Sequence, residues 1–287
     1  MPIEVKNLNH IYMRGTPMET KALNDICMKV ADGEFIGIIG HTGSGKSTLI
    51  SHLNALEKSE KGCVFVNGMD LGEKGTKLSE VRRTVGLVFQ YPEYQLFEET
   101  VEKDIAFGPN NLKLDQAEVS RRVSEAMALV GLDEKYRTVS PFNLSGGQKR
   151  RVAIAGVLAM NPSILILDEP AAGLDPAGRR GMLELIRGIH ASGVTVIMVS
   201  HSMDDVGKYC GRLYVLNKGE IAFEGTPAEV FSHGEELKQI GLDVPECAKL
   251  AFILREKGFD IDANAYSVED VAQEILRNLR KDGGEKC

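Results

Sequence analysis

Apolar positions fall along the chain in two rhythms. Ile3-Glu4-Val5-Lys6 alternates apolar with polar, and Ala22 to Val30 resumes a similar pattern, so both segments read as strands. Glu34-Phe35-Ile36-Gly37-Ile38-Ile39 is instead a continuous apolar run ending at Gly40, as expected of a strand buried on both faces. A glycine-rich turn follows, and Ser47 to Leu56 reads as a helix. From about Asp115 to Met160 the chain reads as largely helical, with Val119, Val123, Met127 and Val130 marking one apolar face. Ile164-Leu165-Ile166-Leu167 and Val194 to Val199 are again buried-strand runs, separated by a helix-like stretch from Gly178 to Ala191.

Strands alternating with helices predict an α/β fold with a mostly parallel sheet. Ligands of such sheets bind beyond the carboxyl ends of the strands, and Gly40, Asp168 and His201 all fall just past such ends. From roughly Ser232 the character changes. Pro245 to Lys257 is helical and stops at Gly258, Ser267 and Asp270 form a helix-start pair, and Val271, Ile275 and Leu279 continue as a stripe. Residues 233–287 are therefore expected to form a helical extension that either covers the main domain or contacts a second subunit.

Composition narrows the class of protein. The 287 residues carry 34 basic against 41 acidic side chains, a net charge of −7, which argues against non-specific nucleic-acid binding. No apolar run approaches the roughly 18 residues of a membrane-spanning helix, and the opening Met-Pro-Ile-Glu-Val-Lys lacks the profile of a secretory signal. The five cysteines are widely spaced with no CxxC pair, and the histidines show no metal-ligand spacing; reduced, packing cysteines are expected.

The chemistry concentrates in three places. Gly40-His41-Thr42-Gly43-Ser44-Gly45-Lys46-Ser47, followed by Thr48, fits the phosphate-binding loop between a strand and a helix. Its glycines let backbone N–H groups wrap phosphates, the helix start adds its positive dipole, Lys46 neutralises the β- and γ-phosphates, and the Ser47 hydroxyl ligates Mg²⁺. Asp168, at the end of a later apolar strand, is placed to hold Mg²⁺, and Glu169 beside it to polarise an attacking water. Leu144-Ser145-Gly146-Gly147-Gln148 precedes a basic helical stretch, so Ser145 suits an N-cap whose exposed N–H groups form a second anion site.

These motifs, in this order, resemble those of the ATP-binding-cassette (ABC) ATPases over about residues 3 to 230. The resemblance implies a RecA-like P-loop core, a small antiparallel sheet near the nucleotide base and a helical subdomain at about 91–160, all within a cassette of residues 1–232. It also implies head-to-tail cassette pairs in which Ser145 and Gly147 of one contact ATP held by the other. Gln90 looks like the glutamine that senses Mg²⁺ and the attacking water, His201 like the switch histidine on the γ-phosphate, and Asp175 like the aspartate linking the two sites. Tyr12 sits where such proteins stack an aromatic ring on adenine, although a core tyrosine of the small sheet would read the same way.

The stretch from Tyr91 to Pro109 interleaves aromatic and aliphatic side chains with carboxylates, a surface suited to a basic helix. With Gly241-Leu242-Asp243-Val244-Pro245 in the tail, it resembles the energy-coupling-factor (ECF) transporter ATPases, importers of vitamins or metal ions. Gly15-Thr16-Pro17, Tyr91-Pro92-Glu93-Tyr94 and Ser140-Pro141-Phe142-Asn143 look like the second of that family's two ATPase types. Ala171 departs from the threonine common after Asp168-Glu169-Pro170. The resemblance implies ATP and Mg²⁺, a related but distinct second ATPase, a transmembrane coupling protein, a membrane subunit that captures substrate, and work at the cytoplasmic face of the membrane. Glu93, Glu98 or Glu99 is expected to pair with arginines of the coupling protein. The competing readings are the ATPase of an importer fed by a solute-binding protein, and a soluble cassette acting on DNA or ribosomes. The latter is opposed by the lack of a sustained heptad run and of a second cassette.

Overall fold

The computed structural model describes residues 2–262 and 265–283. Among the described residues ten strands, β1 (Ile3–Tyr12), β2 (Thr20–Val30), β3 (Phe35–Ile39), β4 (Val64–Val66), β5 (Met69–Asp70), β6 (Val85–Val88), β7 (Ile164–Asp168), β8 (Thr195–Val199), β9 (Arg212–Asn217) and β10 (Glu220–Gly225), form two sheets. The larger has the order β10-β9-β3-β8-β7-β6 and is parallel except for the β9–β10 hairpin. The smaller, β2-β1-β4-β5, is antiparallel.

Period-two alternation explains how the large sheet is covered. Ile36, Ile38, Ile164, Ile166, Ile197 and Val199 face the small sheet and helix α1 (Lys46–Leu53). Phe35, Ile39, Leu165, Leu167, Val196 and Met198 face a second cluster built largely from helices. Both faces are buried, hence the continuous apolar runs.

The remaining helices are α2 (Leu78–Thr84), α3 (Val101–Asn111), α4 (Gln116–Leu129), α5 (Gly146–Leu158), α6 (Pro176–Ala191), α7 (Met203–Tyr209), α8 (Pro227–Ser232), α9 (Gly234–Gln239), α10 (Glu246–Glu256) and α11 (Val268–Gly283). Helices α3, α4 and α5 pack on one another. The expected helical stretch from 115 to 160 is broken between α4 and α5: Gly131 turns the chain at φ 67°, and Pro141 starts a single short turn at 141–143. Leu237, Leu242 and Val244 join the helix-side core, whereas Ala251, Ile261, Ala265 and Val271 form a small cluster of their own. The Ser267–Asp270 pair does open α11: the Asp270 N–H donates to Ser267 Oγ at 3.1 Å, and the Ser267 N–H to the Asp270 carboxylate at 3.3 Å.

Candidate active site

Four adjacent parallel strands deliver the chemistry to one edge of the sheet. Gly40 follows β3, Gln90 lies just past β6, Asp168 ends β7, and His201 lies just past β8. The loop after β3 is tight for a steric reason: a Cβ on Gly40 would lie 2.4 Å from the Leu216 carbonyl oxygen, and one on Gly45 2.6 Å from that of Ala22. Gly45 caps α1 at φ 104°, offering no side-chain cap, and no acidic residue occupies the first turn. The N–H groups at that helix start and their dipole are thus left to an external anion.

Side chains sharpen this. The Lys46 ammonium donates to the Gly40 and His41 carbonyls at 2.6 and 2.9 Å, lying across the loop. Burial pulls its pKa below the ordinary lysine value, against the opposing pull of Glu169 and Asp168. Burial, reinforced by the neighbouring Glu169 charge, raises Asp168 above the usual carboxylate range, while Lys46 and a hydrogen bond from Ser47 lower it. Ser44 is fully buried under the loop and its hydroxyl has no partner. His41 is tethered by its ring nitrogens to the Thr42 carbonyl (2.7 Å) and the Asn217 side chain (3.2 Å). Glu169 is held at φ 49°, its N–H donating to the Val199 carbonyl at 3.0 Å. Its carboxylate lies 2.9 Å from Nδ1 of His201, whose side chain is 73% exposed.

A cleft of about 940 Å³ gathers Tyr12, the loop from Gly40 through Thr48 save Ser44 beneath it, Gln90, Asp168, Glu169 and His201. Tyr12 stands at its rim with its hydroxyl 3.1 Å from Thr48 Oγ1 and its ring against His10. Gly241, Leu242 and Asp243 of the tail reach the same cleft. Ser145, Gly147 and Asp175 do not line it. Ser145 caps α5 through a reciprocal pair with Gln148 (3.0 and 3.3 Å), and a Cβ on Gly147 would meet nothing within 4 Å. Asp175 caps α6, accepting from the Gly178 N–H at 2.7 Å.

The structure corrects one expectation. Glu93 is not free for an outside arginine: it holds the buried guanidinium of Arg150 in a bidentate pair at 2.6 and 2.9 Å. Burial opposes its ionisation, yet Arg150 and the Glu93 backbone amide hold its pKa below the ordinary value. Glu99 is engaged by Lys103 at 2.5 Å. Sequence reasoning missed Arg150 and His10 because their partners or roles depend on neighbours that only folding supplies. Gln148 left a local trace, three residues after a serine.

Fold and loop together define a P-loop nucleotide-binding cassette. The family model described as "ABC transporter" matches residues 23–172. The chain is 55% identical over 286 residues to the energy-coupling factor transporter ATP-binding protein EcfA2 of Clostridioides difficile (strain 630), covering 99% of each. It is also 55% identical to the protein of the same name from Clostridium perfringens (strain 13 / Type A), covering 98% of this chain and 99% of the other. Among solved structures, cbiO1 from Clostridium perfringens, part of the ABC transporter complex cbiONQ, superposes with a TM-score of 0.74 at 35% identity, covering 88% of this chain and 98% of that one. The ATP-binding cassette MJ0796, solved as a dimer bound to ADP and Pi, gives 0.69 at 29% identity over 78% of this chain and 98% of its own. The chain belongs to the ABC transporter family, among its energy-coupling factor transporter ATP-binding proteins. It is an ATP-binding ATPase coupled to transport.

Proposed function

We propose that this chain is the second-type ATPase of an ECF importer for vitamins or metal ions. It would pair with a related but distinct cassette and drive a transmembrane coupling protein, which reorients a membrane subunit carrying the substrate. The cytoplasmic membrane face is the place of action; among the described residues no helix is long and apolar enough to cross a membrane. The observation that carries the reading is the convergence of Lys46, Ser47, Asp168, Glu169 and His201 on one cleft, with the Glu169–His201 contact at 2.9 Å.

In this reading the loop N–H groups and Lys46 bind the ATP phosphates, and Tyr12 stacks on the base. The uncapped start of α1 and Lys46 lying across the loop fit a loop shaped around an anion. Ser47, Asp168 and Gln90 would hold Mg²⁺, a hard cation suited to such oxygen donors. Among the described residues no group of three His, Cys, Asp or Glu forms a metal site, so the remaining ligands would be nucleotide oxygens and water. When bound, the ion supplies charge neutralisation at the phosphates. Glu169 accepts a proton from the attacking water, and His201 orients Glu169 and meets the γ-phosphate. Ser145 and Gly147 serve ATP held by the partner cassette and Asp175 links the two sites, which accords with none of the three lining this chain's own cleft.

Residues 1–232 act as the cassette, 91–160 as its helical subdomain, and 233–287 as an extension offering exposed Leu250, Phe252 and Ile253 to the paired cassette. A groove of about 540 Å³ lined by Leu96, Phe97, Phe107 and Met160, with Arg82, Arg83 and Asp104 also lining it, suits the apolar face of a coupling helix. Two variants test the reading. Glu169→Gln should abolish hydrolysis while retaining ATP binding. Phe107→Asp should lose co-purifying membrane proteins while ATP binding is kept; membrane partners retained by Phe107→Asp would contradict the docking assignment.

A further inference from the structure

Arg179 lies on α6, one turn past Asp175, and its backbone N–H donates to the Asp175 carbonyl at 2.8 Å. Its side chain leaves α6 for α7. The Nε donates to the two carboxylate oxygens of Asp205 at 3.2 and 3.1 Å, and Nη2 donates to Asp205 at 2.7 Å and to the Ser202 hydroxyl. Ser202 is the N-cap of α7; its hydroxyl accepts from the Asp205 N–H at 3.3 Å, and its own N–H donates to Ser200 Oγ at 3.1 Å. His201 sits between those two serines. Arg179, Ser202 and Asp205 share with Gln90, Glu169 and His201 a second cavity of about 300 Å³, the last three lining the main cleft as well.

We propose that Arg179 is a positioning residue that ties the Asp175 loop to His201, so that where Asp175 stands sets how His201 meets Glu169. The proposal rests on the reading that Glu169 and His201 serve hydrolysis. The His201 side chain is 73% exposed, so surrounding packing does not fix it. What fixes its backbone is the Ser200–Ser202 segment, and the guanidinium grips that segment at Ser202. Arg179 is 41% exposed against 12% for Asp205, so the guanidinium reaches from the surface to a largely buried carboxylate. Its value is directional: a planar guanidinium holds a carboxylate and a hydroxyl at once, which an ammonium cannot reproduce. Displacement of Asp175, as when a second cassette engages it, is thereby passed to His201 through one side chain.

The test uses the complex in which the tagged full chain purifies, comparing Arg179→Ala, Arg179→Lys, Asp205→Asn and the Arg179→Ala/Asp205→Asn double variant, with Glu169→Gln alongside. The expected result is a fall in kcat of about tenfold or more for Arg179→Ala and Asp205→Asn, with KM for ATP and ATP affinity within about twofold. The double variant should be no worse than either single one, because both break one strut. Arg179→Lys should recover only part of kcat. A kcat within about twofold of the parent in Arg179→Ala or Asp205→Asn would overturn the proposal. So would a loss of ATP affinity and thermal stability matching the loss of kcat in every variant, the mark of a general brace. Parental hydrolysis by Glu169→Gln would instead overturn the reading of the site beneath it.

Discussion

Lys46 is drawn two ways, its charge disfavoured by burial and favoured by Asp168 and Glu169. A phosphate group entering the loop would settle that balance by adding a stronger counter-charge. Lys46→Ala should therefore lower hydrolysis by about a hundred- to a thousandfold, measured as phosphate release. Asp168 makes the complementary case. Its folded-state pKa is raised, so its contribution to stability is present below the unfolded value and is lost as pH rises through the folded one. Ionising Asp168 thus costs stability in the nucleotide-free chain. Asp168→Asn should raise the melting temperature at pH 7, with the gain shrinking on acidification, while abolishing Mg²⁺-dependent hydrolysis. Calorimetry across pH, beside an activity assay, checks both halves. His52 runs the other way. Burial, then His10, pull its pKa down to about 4, so its contribution is present above about 6.5 and is lost as pH falls through about 4.

At the scale of elements, the Glu93–Arg150 pair pins the turn after β6 to α5. Arg150 also donates to the Pro170 and Ala172 carbonyls at 3.1 and 2.8 Å, reaching the segment after Glu169. Glu93→Ala would leave a buried guanidinium without its counter-charge, a cost of about 3–5 kcal/mol. Glu99→Lys, on an exposed pair, should change stability by no more than about 1 kcal/mol, a contrast that chemical denaturation resolves. The same elements show what can be read from a linear chain. The runs of β3, β7 and β8 were legible because each is buried on both faces, and the phosphate loop because its residues are contiguous. Strands β9 and β10 went unread; β10 alternates exposed with half-buried positions and forms the sheet edge. Val101 to Pro109 read as part of an acidic, aromatic surface stretch, yet it lies in helix α3, whose start is capped by Thr100. Glu93 was misjudged because its partner lies 57 residues away, a proximity no local pattern encodes.

At the scale of the whole molecule, the carboxyl ends of four adjacent strands carry the loop, the carboxylates and the histidine, and Ser145 and Gly147 lie outside that cleft. Neither residue lines the chain's own cleft, which is what the proposed pairing with a second cassette requires. The most direct measurement is a gentle detergent pull-down of the tagged chain from its native membranes, with partners identified by mass spectrometry. Recovery of a second, distinct cassette with an integral coupling protein and small membrane proteins is the predicted result. Recovery of ribosomes or DNA without a membrane partner, or of a permease with a solute-binding protein, would contradict it.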